Sequence, residues 1–110
     1  TVVSRVGFGP DDDYDPIEVY MTHFLDGMKA ITPTADTSGR LRLARTGNIL
    51  SGYYYDAELD TWVELHSALT TLENVTISFA AWSHDYAFGN QNTLIAFDNF
   101  LVTQGTVVWP

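Results

Sequence analysis

The chain contains no cysteine. Disulfide staples, zinc–thiolate sites and cysteine nucleophiles are therefore excluded together. Positive charge is also scarce: five Lys and Arg stand against fourteen Asp and Glu, a formal net charge of −9. A surface so acidic repels phosphate backbones and anionic lipid, which argues against nucleic acid and charged membranes as partners. It suits solubility in salt, and it suits hard cations such as calcium. No apolar run approaches the roughly 18–20 residues of a membrane-spanning helix, and no basic stretch precedes an apolar one as in a signal peptide. The first residue is Thr1 and not Met, as a processed chain or a fragment would begin.

The residues that are present describe a folded β protein. Hydrophobic residues make up 45% and aromatic residues 14% of the 110 positions, which excludes intrinsic disorder. This length supports one domain, 1–110, with a core of modest size. Short runs rich in Val, Ile, Thr, Tyr and Phe are interrupted by turn residues every roughly 8–12 positions, the pattern of a sandwich or barrel. Val2 to Phe8 is a first strand, closed by Gly9-Pro10, and 11–16 is an acidic loop. Ile17 to Leu25 alternates, with Ile17, Val19 and Met21 on one side and Glu18, Tyr20 and Thr22 on the other. Asp26-Gly27 reads as a tight turn leading into Met28 to Ile31, and 32–38 as a loop. In 39–45 Leu41 and Leu43 point inward and Arg40 and Arg42 outward. Thr46-Gly47-Asn48 turns the chain into Ile49 to Tyr55; Asp56 to Asp60 turns it again toward Trp62, Val63 and Leu65. His66 to Glu73 is the sole helix-compatible stretch, and its threonines favour a turn. Asn74 to Trp82 and Thr93 to Val102 are further strands, with Val107 to Trp109 a short terminal one.

The run Ser38-Gly39-Arg40-Leu41-Arg42-Leu43-Ala44-Arg45, followed by Tyr53-Tyr54-Tyr55 and Trp62-Val63-Glu64-Leu65, resembles a pattern in exported bacterial and archaeal domains of the concanavalin-A-like, laminin-G-like superfamily. Phe97-Asp98-Asn99-Phe100-Leu101-Val102 is similar to the closing strand of many such domains. The likeness spans residues 38–103. It implies an all-β antiparallel sandwich of jelly-roll type and an extracellular or cell-surface location. Domains of that superfamily carry more strands ahead of this segment, so the resemblance implies an incomplete sandwich whose missing surface comes from a partner chain, a second copy, or residues cleaved from the chain or not traced. A smaller, complete eight-stranded sandwich is the alternative.

Three groups of residues invite a functional reading. Asp11, Asp13 and Asp15 have the alternate spacing with which calcium loops converge on one ion, although Pro16 and Thr22 stand where an EF-hand needs Gly and Glu. A solvated acidic loop is the rival reading. The resemblance adds Asp98, on the closing strand, as a further calcium contact. The loop 82–92 combines Trp82 and Tyr86, whose rings stack on sugars, with His84, Asp85 and Asn90, which hydrogen-bond hydroxyls; the same mix suits a protein interface. Trp82 also fits a core position. Asn74-Val75-Thr76 is a glycosylation sequon.

Glu58-Leu59-Asp60-Thr61-Trp62-Val63-Glu64 resembles the acidic signature of family 16 glycoside hydrolases, with one residue too many. A retaining glycosidase needs its two carboxyls about 5–5.5 Å apart. Six residues of extended strand separate Glu58 from Glu64 by about 20 Å. The expectation is therefore a non-catalytic module that acts by protein–protein assembly in a surface, matrix or fibre, as a homo-oligomer or with a complementary chain. Glycan binding through the aromatic loop is the second reading, and a partial glycosidase the third. Calcium is the one cofactor expected.

Overall fold

The structure, a computed structural model, describes residues 2–7, 18–36, 38–81, 94–106 and 108. The chain divides into two compact units, Thr1–Val75 and Thr76–Pro110. Among the described residues there is no helix, and all six strands lie in the first unit. They are β1 (Val2–Gly7), β2 (Glu18–His23), β3 (Lys29–Thr34), β4 (Leu41–Thr46), β5 (Ile49–Asp56) and β6 (Thr61–Leu69). They form two three-stranded antiparallel sheets, ordered β1-β2-β3 and β4-β5-β6.

Each hairpin is set by a local device. Between β2 and β3 the Asp26 carboxylate accepts the Met28 amide at 2.9 Å and Gly27 takes φ 79°, a conformation a Cβ would strain. Between β4 and β5 only Gly47 and Asn48 intervene, and Gly47 supplies the positive φ of a two-residue hairpin. Between β5 and β6 the Asp56 carboxylate accepts the amides of Glu58 and Leu59, each at 2.9 Å. These three turns fall where the sequence places them.

Two strands run further than expected. β3 continues through Thr32, Pro33 and Thr34, a stretch that reads as loop, because β2 offers partners out to Glu18↔Thr34. Proline is tolerated there because β3 is an edge strand. β6 continues through His66 to Leu69, where a turn was expected. A bulge at Gly52/Tyr53 leaves Leu65 unmatched and shifts the register, so that His66 faces Gly52 and Ala68 faces Leu50. Conversely, 74–81 and 94–102 read as strands but are not in strand among the described residues.

The two sheets meet through the side of β2 that carries Tyr20 and Thr22. Tyr20 stacks on Tyr54 of β5, with ring centroids 4.7 Å apart and planes 14° apart. Phe24, just past β2, leans on the His66 ring at 5.1 Å. Thr22 lies against Gly52 so closely that a Cβ on the glycine would come within 2.7 Å of the threonine methyl. Leu41 and Leu43 share this inner face, opposite Tyr54 and Gly52, yet remain 37% and 40% exposed because β4 is an edge. Among the described residues the buried interior is small: Val19, Tyr20 and Phe24, with Thr22 and Ser51 as buried polar residues. In the second unit Phe79 packs on Phe97 at 5.4 Å and edge-on to Phe100 at 4.9 Å, while all three rings remain about half exposed.

The Thr22 hydroxyl is buried without a hydrogen-bond partner among the described residues. Replacing it by a methyl of the same shape removes that cost, so Thr22→Val is expected to raise stability by about 1 kcal/mol in urea denaturation. Gly52→Ala, which drives a Cβ into the same spot, is expected to lower it by roughly 1–3 kcal/mol.

Candidate functional site

Two surfaces of the first unit gather polar and aromatic side chains. One is a cavity of about 230 Å³ at the end of the sheets where β3 leaves for β4, bordered by Tyr20, Thr34, Asp36, Tyr54, Asp56 and Glu58. Most of its chemistry is already committed to the fold. The Tyr20 hydroxyl donates to Asp36 Oδ2 at 2.8 Å, and the Asp36 amide donates to Thr34 Oγ1 at 3.0 Å. An Arg5 guanidinium nitrogen donates to the Asp36 carbonyl, while Arg5 also pairs with Glu18 at 2.7 Å. The Asp56 carboxylate holds its own turn. Burial, followed by the bond to Asp36 and its charge, pushes the Tyr20 phenol up to about 12; Arg5 works in the opposite direction. Tyr54 is also raised, first by burial and then by Asp56 and Asp36.

The other surface is the outer face of β4-β5-β6. Register places Arg42 opposite Tyr53, Tyr53 opposite Glu64 and Tyr55 opposite Trp62. Arg40 joins this face from the residue before β4, where its carbonyl accepts the Tyr55 amide at 3.1 Å. The Arg40 guanidinium lies over the Tyr55 ring, 4.6 Å from its centroid. That of Arg42 lies over Tyr53 at 5.5 Å and Trp62 at 5.9 Å. Tyr55 and Trp62 meet edge to face at 5.3 Å.

The carboxylates of this face are tied elsewhere. Glu64 accepts from Ser67 at 2.5 Å, and that bond, with help from Tyr53, holds its carboxyl below the usual range. Ser67 in turn pairs with Ser51 at 2.8 Å. Asp60 accepts the Tyr55 hydroxyl, which raises the Tyr55 phenol. Among the described residues, Arg40 and Arg42 have no carboxylate and no hydrogen-bond acceptor for their guanidinium groups.

The sequence-derived site residues fall differently. Asp11, Asp13 and Asp15, expected to bind calcium, and Trp82, His84, Asp85, Tyr86 and Asn90, expected to bind ligand, lie outside the described residues. Asp98 is exposed, and among the described residues no three His, Asp or Glu side chains come together as a metal would need. Asn74 is exposed, just past the point where Arg45 donates to the carbonyls of Thr71 and Glu73. Glu58 sits in the β5–β6 turn and Glu64 on the outer face of β6. The outer face itself was missed as a site. Its signal was the alternation of Arg40 and Arg42 beside Tyr53 and Tyr55, which reads as fold pattern until Trp62 arrives from β6.

No known protein-family model, curated protein or solved structure matches the chain. What stands is the class: among the described residues the chain is all-β, with two small antiparallel sheets. Among the described residues no helix is long and apolar enough to cross a membrane.

The raised Tyr20 phenol makes a pH prediction. A pKa raised on folding favours the protonated form, so its contribution is complete below the ordinary tyrosine value of 10.0 and is lost as pH rises from there through about 12. Urea midpoints across that window should fall, and should fall less in Tyr20→Phe. An equal slope in the two proteins would contradict the assignment.

Proposed function

We propose that the chain is a non-catalytic module that works by assembling with another protein chain, a second copy or a complementary one. The observation that carries this reading is the amount of strand-forming apolar sequence left uncovered. Ile77, Phe79, Ile95 and Phe97 are each between 52% and 58% exposed, and Leu94 and Leu101 more so. Val75, Ile77 and Phe79 alternate with small polar residues as the inner face of a strand does. Isolated apolar side chains on a surface are ordinary, but exposed rings that meet, as Phe79 does with Phe97 and Phe100, mark an interaction surface.

The first unit supports the same reading. Among the described residues each three-stranded sheet has two edges that no strand pairs, and unpaired edges are templates for further strands. The buried apolar core comprises only Val19, Tyr20 and Phe24 among the described residues, little for a module meant to stand alone. A partner supplying strands would extend both the sheets and the core. The resemblance to exported sandwich domains supports a role outside the cell or at its surface, in a sandwich completed on assembly, with calcium at Asp11, Asp13 and Asp15 as an added brace.

Light scattering and sedimentation are expected to show a defined oligomer, or a stable complex with one partner. Phe79→Ser together with Phe97→Ser should weaken the association at least about tenfold, since each buried phenylalanine is worth roughly 1.5–3 kcal/mol. A folded, monodisperse monomer that binds no protein would overturn the proposal.

A further inference from the structure

The chain has five Lys and Arg side chains, and three of them lie within six residues, Arg42 and Arg45 on β4 and Arg40 just before it. In a chain of net charge −9 this is a local reversal of sign. Arg45 is spent on the carbonyls of Thr71 and Glu73. Arg40 and Arg42 are held differently: each lies over an aromatic ring, and neither has a carboxylate among the described residues. A guanidinium resting on an exposed ring is held only weakly, so it can leave the ring for a carboxylate beside β4, with which it makes stronger charge-assisted bonds. The guanidiniums also lie over the ring faces on which a neutral sugar would stack, so the site favours charge over sugar.

The backbone adds a second constraint. The Arg40 carbonyl bonds to β5, so in an antiparallel ladder the backbone groups of Arg42 and Ala44 also point toward β5. Those of Leu41, Leu43 and Arg45 therefore point to the outer edge of β4, where no described strand pairs. Side chains two residues apart on an extended strand share one face, spaced about 6.6–6.8 Å apart. A second extended chain laid along this edge presents its own alternate side chains at the same spacing, opposite Arg40 and Arg42.

We infer that the open edge of β4 receives an extended peptide segment with carboxylates at alternate positions, which adds as a strand to β4-β5-β6 while its acidic side chains engage Arg40 and Arg42. Main-chain bonds to Leu41, Leu43 and Arg45 hold the segment, and the two guanidiniums select its charge pattern. This inference rests on the assembly reading and names the chemistry of the partner, but it concerns a surface distinct from the apolar residues of the second unit.

The test uses the full chain and a synthetic peptide with aspartate at every second position and threonine between. Titration should show saturable binding that weakens with salt. Arg40→Glu with Arg42→Glu should weaken it by roughly tenfold or more, and the Lys pair should recover only part of the loss. N-methylating the peptide at alternate amides, which leaves its charge intact, should abolish binding. The inference is overturned if the wild-type chain does not bind, or if a peptide with its aspartates clustered or its amides methylated binds equally well. It is also overturned if polygalacturonate binds more tightly with the same arginine dependence. Oligomeric state is read separately on the same samples. Assembly that persists in the arginine variants while peptide binding fails in the wild type removes this inference and leaves the assembly reading standing. A chain that is monomeric alone but binds the peptide supports this inference, and with it assembly with a complementary chain in place of a second copy.

Discussion

The arrangement of the first unit depends on one buried tyrosine. Tyr20 is 1% exposed and touches both sheets and the crossover between them. Its ring stacks on Tyr54 of the second sheet, its hydroxyl donates to Asp36 at the exit of β3, and its edge presses on Gly39 at the entry to β4. At Gly39 any Cβ would fall 2.4 Å from the Tyr20 oxygen, so the crossover can pass this close only on a residue without a side chain. A tyrosine can serve three neighbours because it carries a large apolar body and a single polar tip that needs one partner. Asp36 is that partner, and Arg5 fixes Asp36 through its carbonyl.

That commitment separates the two polar surfaces. Around the cavity the ionisable groups largely answer one another or hold turns, leaving Glu58 with no side-chain partner among the described residues. On the outer face of the second sheet the division is different. Glu64 and Asp60 are bound to hydroxyls, and the arginines rest on rings, so among the described residues charge of one sign is internally satisfied and charge of the other is not. A face of this kind is stable without a ligand, because the guanidiniums rest on rings, and they are held weakly enough to turn to an acidic partner.

Much of the local structure was legible in the residue order. Asp26-Gly27, Gly47-Asn48 and Asp56 to Asp60 announced their turns through side chains that cap amides and glycines that accept positive φ, chemistry that acts within a few residues. The strand ends were less legible. Nothing within 32–34 or 66–69 marks them as strand; they are held by ladders with β2 and β5, and the Leu65 bulge that re-registers β6 answers a local fit against β5. The opposite error arose at 74–81 and 94–102, where a strand-like alternation finds no ladder among the described residues. Alternation is necessary for a half-buried strand, but pairing requires a neighbour that the pattern does not specify.

The order of amino acids by itself determined the all-β class, the position of three hairpin turns, the acidity of the surface and the concentration of arginine in one short run. These follow from short-range sterics, side-chain capping and summed charge. Tertiary structure alone decided that the Tyr20 and Thr22 side of β2 would be the one to meet the second sheet, because alternation defines two faces without saying which is covered. It alone also brought Trp62 and Tyr55 beside Arg40 and Arg42, since that meeting depends on the register of three strands and no segment of the chain contains it.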